Sequence, residues 1–566
     1  MKPHEEEIAE LGLLRDEVHR LEQRVYALEH KGEARAPLTA HLAGAPDVPS
    51  FALPNVIPVA GRATLGLAGA YLLRALSESG SVPQLLVVCG AILYAAAWIV
   101  LSVRARQEKA IAGATYGITA ALILAPLLWE ATVRFNVLTP SATAAILLAF
   151  IVLSSALTWS DKPGAVSAIT ILTALLTALA LMVRTGDLVP FALALLGIAV
   201  IVEAGVCIGH TSPMRVPVAI ACDLAVALVL YIMTRPGGVP EGYQPARLIV
   251  SLALCALLFL IYAAGAVWQT VIRERNISGI EIAQTVVVFA LAAGGALQLT
   301  EGAAAGLVGS LAAIFCAACY FLAFLRFDGL PRRNHYVFAS WGAALGLIAC
   351  FLILPGIQLT LVWSAAALVA TLVGTRASLP ALDVHGAFYL LAAALVSGLP
   401  AVVLNAFTGD VLAPATAALW IVAIAALGCY AECFYAASEG ATAKISLIPA
   451  VAAALSAGAL LLLVAIPLFG PHPSVSLLAT ARTLVTCLVA LGFGFAGSRT
   501  GHRELVWISY AAIALGTVKL LLEDFRQSHP AALALSLLCY GALLILVPKL
   551  ATKTPLTNWN SPRSAP

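Results

Sequence analysis

From Val56 onward the chain alternates long apolar stretches with short polar breaks, and each stretch runs 17–25 residues. A helix rises about 1.5 Å per residue, so about 20 apolar residues cross a hydrocarbon core of about 30 Å. The pattern predicts eighteen crossings, from 56–76 and 82–103 at the start to 504–522 and 530–548 at the end, with 386–404 and 411–435 between them. Breaks fall at Thr300-Glu301-Gly302 and Pro355-Gly356. Ahead of the first crossing the period changes. Residues 7–31 follow a heptad, with Leu11, Val18 and Val25 at a and Leu14, Leu21 and Leu28 at d, a combination that favours parallel two-stranded pairing. An amphipathic helix lying on the membrane is the other reading of the same residues. The expected organisation is a cytoplasmic coiled-coil segment over 1–31, an Ala/Pro/Gly linker over 32–54, a multi-span domain over 55–550 and a cytoplasmic tail over 551–566. The fold class is all-α, a polytopic transmembrane helix bundle.

Composition agrees. Of 566 residues, 61% are hydrophobic and 11% charged, and the mean hydropathy is +0.96. Soluble domains average about half apolar and about a quarter charged, so lipid is the expected solvent. The chain opens Met1-Lys2-Pro3-His4-Glu5-Glu6-Glu7, which is no secretory signal, so the first apolar stretch is expected to stay as an anchor. The net charge of +3 matters less than the side on which Lys and Arg lie. With the N-terminus inside, the inner loops carry fourteen and the outer loops five: Arg134, Arg184, Arg235, Arg247 and Arg526. A missed or extra crossing would invert the pattern beyond it, and no inversion occurs. Small residues one turn apart at Gly66-x-x-x-Ala70, Gly302-x-x-x-Gly306 and Gly342-x-x-x-Gly346 predict close helix packing.

The chemistry is sparse. No phosphate-binding loop, His-Glu-x-x-His or dinucleotide fingerprint occurs, and all ten histidines are placed in the N-terminal segment or in loops. The eleven cysteines fall inside apolar stretches and read as small buried hydrophobes, Cys316-x-x-Cys319 and Cys429-x-x-x-Cys433 included. No metal, cofactor or nucleic acid is expected. Membrane lipids are, and so is a second copy of the chain through the heptad. What remains are ionisable residues at membrane depth, each a candidate site. Towards the inner side lie Arg62, Glu203, Asp223 and Glu432; towards the outer side lie Arg74, Glu130, Arg134, Glu301, Arg482, Lys519, Glu523 and Asp524. Snorkelling or capping explains Arg62, Arg74, Glu203 and Glu301. Asp223, Glu432 and Arg482 are deeper and need a partner or a wet cavity. Glu130 and Arg134 stand one turn apart, as do Lys519 and Glu523. The substrate-binding candidates are therefore Glu130, Arg134, Arg482, Lys519, Glu523 and Asp524, with Glu523 or Glu130 as the acidic neighbour of Lys519.

Two hairpins carry a resemblance. The stretch Gly61-Arg62-Ala63-Thr64-Leu65-Gly66 running on to Arg74, and Lys519-Leu520-Leu521-Leu522-Glu523-Asp524, resemble an uncharacterised family of bacterial polytopic membrane proteins known only as a domain of unknown function. Its members show Lys-Leu-Phe-Leu-x-Asp at the second hairpin. The resemblance implies an N-terminal coiled coil before many transmembrane helices, and a Lys–Asp–Arg site in which Leu533, three residues before Ser536, here replaces the arginine.

The expected function is transport or handling of a lipidic or small amphiphilic substrate in a bacterial inner membrane, with both termini cytoplasmic. An enzyme of envelope acyl or glycosyl transfer, or a structural scaffold, is the alternative. The topology has a direct test. In a cysteine-free background, single cysteines at Ser79 and Gly470 should react with an impermeant thiol reagent in intact cells. One at Gly329 should react only after permeabilisation. Labelling of Gly329 in intact cells would overturn the helix count before it.

Overall fold

The computed structural model describes residues 53–79, 82–108, 110–158, 165–210, 212–326, 332–408, 415–435, 446–469 and 474–551. The heptad, all but the last two residues of the linker and the tail beyond Ala551 lie outside these residues, as do Lys109, Lys162 and Lys444 of the inner loops. Every described element is helical: α1 (Leu53–Ser79), α2 (Gln84–Glu108), α3 (Ala110–Trp129), α4 (Pro140–Thr158), α5 (Ala165–Thr185), α6 (Leu188–Ile208), α7 (Arg215–Met233), α8 (Leu248–Val267), α9 (Gly279–Leu299), α10 (Ala305–Phe321), α11 (Arg332–Ile353), α12 (Gly356–Ala377), α13 (Pro380–Val396), α14 (Leu399–Thr408), α15 (Ala417–Tyr435), α16 (Leu447–Ala465), α17 (Val475–Thr500), α18 (Arg503–Lys519) and α19 (Pro530–Ala551). Four of them run on through one π turn each: α3 at Glu130–Arg134, α8 at Trp268–Ile272, α10 at Leu322–Arg326 and α18 at Leu520–Asp524.

Sixteen of the eighteen predicted crossings coincide with described helices long and apolar enough to span a bilayer. Helix α1 covers the first predicted crossing and stands outside that count. The breaks at Thr300–Gly302 and Pro355-Gly356 fall between helices as the polarity pattern requires. Crossing 386–404 takes a different form. Pro380, in the first turn where its missing N–H costs nothing, starts α13 six residues earlier than hydropathy places it. Gly398 at φ +75° and Pro400 then end it, and α14 leaves at a bend of 57°. The earlier start corrects the placement of His385, which is buried in α13 and not in a loop; His335 is likewise helical, because α11 begins at Arg332.

The distribution of side chains is that of a protein in lipid. Fully buried positions are often alanine, as at Ala367, Ala393, Ala426, Ala450 and Ala490, which lets helix backbones approach closely. Large apolar residues face outward instead; Leu93, Ile249, Leu404, Leu515 and Leu538 are 65% to 71% exposed. The chain is thus an all-α polytopic helix bundle, and it divides into two units, 1–127 and 128–566. In the first unit, a Cβ at Gly66 would lie 2.4 Å from the Trp98 indole, whose ring meets Tyr116 edge to face. Arg62, expected to snorkel, donates from Nη1 to Tyr116 Oη at 3.2 Å.

In the second unit, helices adjacent in sequence pack as pairs, among them α10 with α11, α12 with α13, and α17 with α18. The small-residue motifs there divide. At Gly346 an added Cβ would meet Tyr389 Oη at 3.1 Å and Cys316 Sγ at 3.2 Å, and Gly342 lies against the Tyr320 ring. A Cβ added at Gly302 or Gly306 would meet nothing within 4 Å; Gly302 sits at φ +88° in the turn before α10 and is a turn residue, not a packing one. Gly346→Leu should therefore lower thermal stability, at the roughly 1–3 kcal/mol typical of overpacking. Gly306→Leu should leave it unchanged or raised. Equal melting temperatures for the two variants would contradict the packing described.

Candidate functional site

The four late members of the predicted set converge where α17 and the end of α18 meet. The local cause is the π turn. In an α-helix Asp524, five residues after Lys519, would stand about 140° around the axis from it. The wider turn over Leu520–Asp524, closed by Phe525 N–H donating to Leu520 O, brings Asp524 back towards Lys519 while Glu523 stays one turn away. Both carboxylates thus reach one ammonium.

Lys519 Nζ bonds Asp524 Oδ1, the Ala479 carbonyl of α17 and Thr483 Oγ1, the last at 2.7 Å, and lies 3.4 Å from Glu523 Oε2. Thr483 Oγ1 in turn donates to Asp524 Oδ2 at 2.6 Å. From the same turn of α17, Arg482 Nη1 donates to Glu523 Oε1 at 2.5 Å and Nε donates to Ala406 O at 2.8 Å. Ala406 carries one of the last four carbonyls of α14, groups an α-helix leaves without an internal partner. The broken span therefore points its negative end at a cation of the network. Two cations and two carboxylates sum to zero charge. Asp524 is 0% and Arg482 3% exposed, whereas the side chains of Lys519 and Glu523 keep 13% and 15%. The network is reached from outside over those two. The acidic neighbours of Lys519 are thus Glu523 and Asp524, and its side chain turns into the bundle instead of snorkelling.

Glu130 and Arg134 stand apart from these bonds. They sit on the π turn that ends α3, where Arg134 lies 5.3 Å from the Phe135 ring centre and the neighbouring Thr132 hydrogen-bonds Thr143 of α4 at 2.6 Å. The six candidates divide into a cluster of four and a separate pair.

Other polar centres lie outside the predicted substrate-binding set. Glu203 was expected to snorkel; it is buried, and Arg215 clamps it through Nε to Oε1 at 2.7 Å and Nη2 to Oε2 at 2.9 Å. The third Arg215 bond, Nη1 to Glu281 Oε1 at 2.7 Å, crosses to α9. Glu281 also closes a capping box with Ser278, a Ser-x-x-Glu signal that was legible. Farther along, His385 Nδ1 and Tyr389 Oη meet Tyr320 Oη at 3.2 and 3.1 Å. Glu432 lies 3.9 Å from Arg376, at the exposed margin of the bundle. The eleven cysteines are free thiols, and no group of three metal-ligating side chains occurs among the described residues.

These features define a polytopic helical membrane protein that holds a neutral, internally paired ion network inside its bundle. No family model, curated protein or solved structure matches the chain, so the geometry carries the functional reading.

Removing one member of a buried pair leaves the other charge uncompensated, at about 3–5 kcal/mol, whereas replacing both is often neutral. Arg482→Leu and Glu523→Leu should each depress the melting temperature in detergent, and the double variant should recover much of the loss. Additive losses would show that the two are not coupled.

Proposed function

We propose that the protein moves or holds a lipidic or small amphiphilic substrate in a bacterial inner membrane, with both termini cytoplasmic. The observation that carries this reading is the ion network at the α17–α18 junction. Charges at membrane depth are retained against a high desolvation cost, and a site that binds or passes a polar group is their commonest use. The network has a closed side and an open side. Asp524 and Thr483 fix Lys519 from within. Glu523 bridges Arg482 and Lys519 at the opening. An anionic headgroup that displaced the Glu523 carboxylate would meet a guanidinium and an ammonium already oriented, while its apolar tail stayed against the exposed leucines Leu521 and Leu522. Glu523 then acts as the group that occupies the site between ligands. Arg482 and Lys519 each meet one oxygen of the Glu523 carboxylate, and a phosphate or carboxylate offers the same pair of oxygens, which favours an anionic amphiphile as the substrate.

The transferase alternative draws on Thr483, whose hydroxyl donates to Asp524 and accepts from Lys519 in the manner of an activated nucleophile. Thr483 is buried, and its oxygen is enclosed by its two partners, so an incoming acyl or glycosyl group has no approach to it. Transport or holding is the better fit.

Purified protein in proteoliposomes loaded with a labelled anionic lipid analogue tests this. Wild type should accelerate exchange of the probe. Lys519→Ala should reduce it about tenfold or more, the loss expected when about 1.4 kcal/mol or more of headgroup attraction is removed, at unchanged expression, with Lys519→Arg partly active. Equal flux for wild type and Lys519→Ala would sink the reading. A covalent product made by the pure protein would select the enzyme instead.

A further inference from the structure

A second polar centre lies where α6 turns into α7 and α8 into α9, on residues the ion network does not use. A cavity of about 300 Å³ opens there between the two turns. Its wall includes Ser212 and Arg215 from one turn and Arg275, Asn276 and Ser278 from the other. Buried amides hold the frame around it. Gln269, 4% exposed, donates Nε2 to Val206 O at 2.9 Å, and Trp268 Nε1 donates to Cys207 O at 3.2 Å. The π turn of α8 is thereby fixed to the last turn of α6. Asn334 of α11, 1% exposed, donates Nδ2 to Arg275 O and accepts from Ile277 N–H, both at 2.9 Å. Ser278 and Glu281 close the far end of the loop with their capping box. The loop 273–278 is thus pinned along its length, with Arg275 and Asn276 set against the cavity.

The side chains that meet there are donors short of acceptors. Among the described residues, neither Arg275 nor Asn276 makes a hydrogen bond or ion pair through its side chain. A guanidinium carries five N–H groups, and Arg215 uses three of them on Glu203 and Glu281. Glu281 is the one carboxylate in the lining, and both its oxygens are taken, Oε1 by Arg215 and Oε2 by the Ser278 N–H. The wider charge balance is positive. Around these turns Arg215, Arg273, Arg275, Arg326 and Arg333 stand against Glu203, Glu274 and Glu281, five to three, a net of +2 with histidine neutral. Arg326 pairs with Glu274 at 3.0 Å. Arg273 Nη1 lies 3.9 Å from where a Cβ at Gly209 would be, at the C-terminal end of α6, where a cation suits the helix dipole. Arg333 Nη2 lies 4.0 Å from a Cβ built at Gly279, beside the first residue of α9.

We propose that the cavity binds the phosphate headgroup of an anionic lipid, with Arg275 and Asn276 as its direct donors and the Arg215 clamp as its back wall. The anion is a phosphate because donors arrive from the α6–α7 turn, from α7 and from the 273–278 loop. A carboxylate offers two oxygens in one plane, whereas a phosphate offers its oxygens in a tetrahedron. The source is a lipid because the cavity opens at headgroup level. Most of its wall is apolar surface, and Trp268, Ile208 and Ile272 near it are 43%, 54% and 56% exposed. An exposed indole with its N–H bonded inward belongs at a membrane interface. Basic pockets between helices on the cytoplasmic side suit such headgroups, and the loop-charge count expects the inner leaflet at this end. The site shares no residue with the α17–α18 network and does not rest on what that network carries.

Quenching of tryptophan fluorescence by brominated lipids tests it on the full chain in phosphatidylcholine nanodiscs. The signal of Trp268 is the difference between wild type and Trp268→Phe. Brominated phosphatidylglycerol should quench that signal more strongly than brominated phosphatidylcholine does. Arg275→Ala combined with Asn276→Ala should abolish the preference at an unchanged melting temperature, because neither side chain bonds the described protein. Equal quenching by the two lipids in wild type, or a preference that survives in the double variant, would overturn the proposal. Loss of the preference on adding inorganic phosphate, at a concentration matched to the anionic lipid, would show a free-anion site and overturn the lipid assignment.

Discussion

The structure depends on one constraint, that a bilayer offers no partner to a charge or a backbone group, so each must be satisfied within the bundle. Lys519 shows how far that requirement reaches. Its ammonium is met by a carboxylate on its own π turn and by a carbonyl and a hydroxyl on α17. Arg482, one residue from that hydroxyl, is met by Glu523 and by a carbonyl at the end of the broken helix α14. Three separate irregularities, a π turn, a helix bend and a polar second turn in α17, are tied together by one set of ion pairs. Each irregularity frees or redirects a polar group that regular helix would have hidden.

The second centre follows the same rule with a different balance. Glu203, Arg215 and Glu281 bring two negative charges to one positive, and among the described residues Asp223 adds a carboxylate met by the Gln284 amide and by no cation. The α17–α18 network is neutral by pairing; the Glu203–Arg215–Glu281 clamp taken by itself is not.

Much of this was legible in the sequence, and the gaps have physical causes. Hydropathy placed sixteen crossings because a span of about 20 apolar residues is set by bilayer thickness. It ran through the bend of α13 into α14 because Ser397, Gly398 and Pro400 scarcely alter a hydropathy average, although Gly-x-Pro is a breaker signal. Lys519 and Glu523 were paired from their spacing. Asp524 joins them through a π turn, which no residue pattern announces. Arg215 was counted as a loop charge and Glu203 as a snorkelling one. Their bidentate pair spans the turn between α6 and α7 and depends on how that turn closes. Gly302-x-x-x-Gly306 matched a packing motif by spacing alone, while its first glycine is required by backbone conformation.

The central claim is that the opening over Lys519 and Arg482 receives an anionic headgroup in exchange for Glu523. A density map of the purified protein in nanodiscs containing an anionic lipid addresses it most directly. The expected map shows a headgroup against Lys519 and Arg482, with the Glu523 side chain turned away. A map with Glu523 still bridging both cations and no lipid at the opening, at saturating anionic lipid, would contradict it.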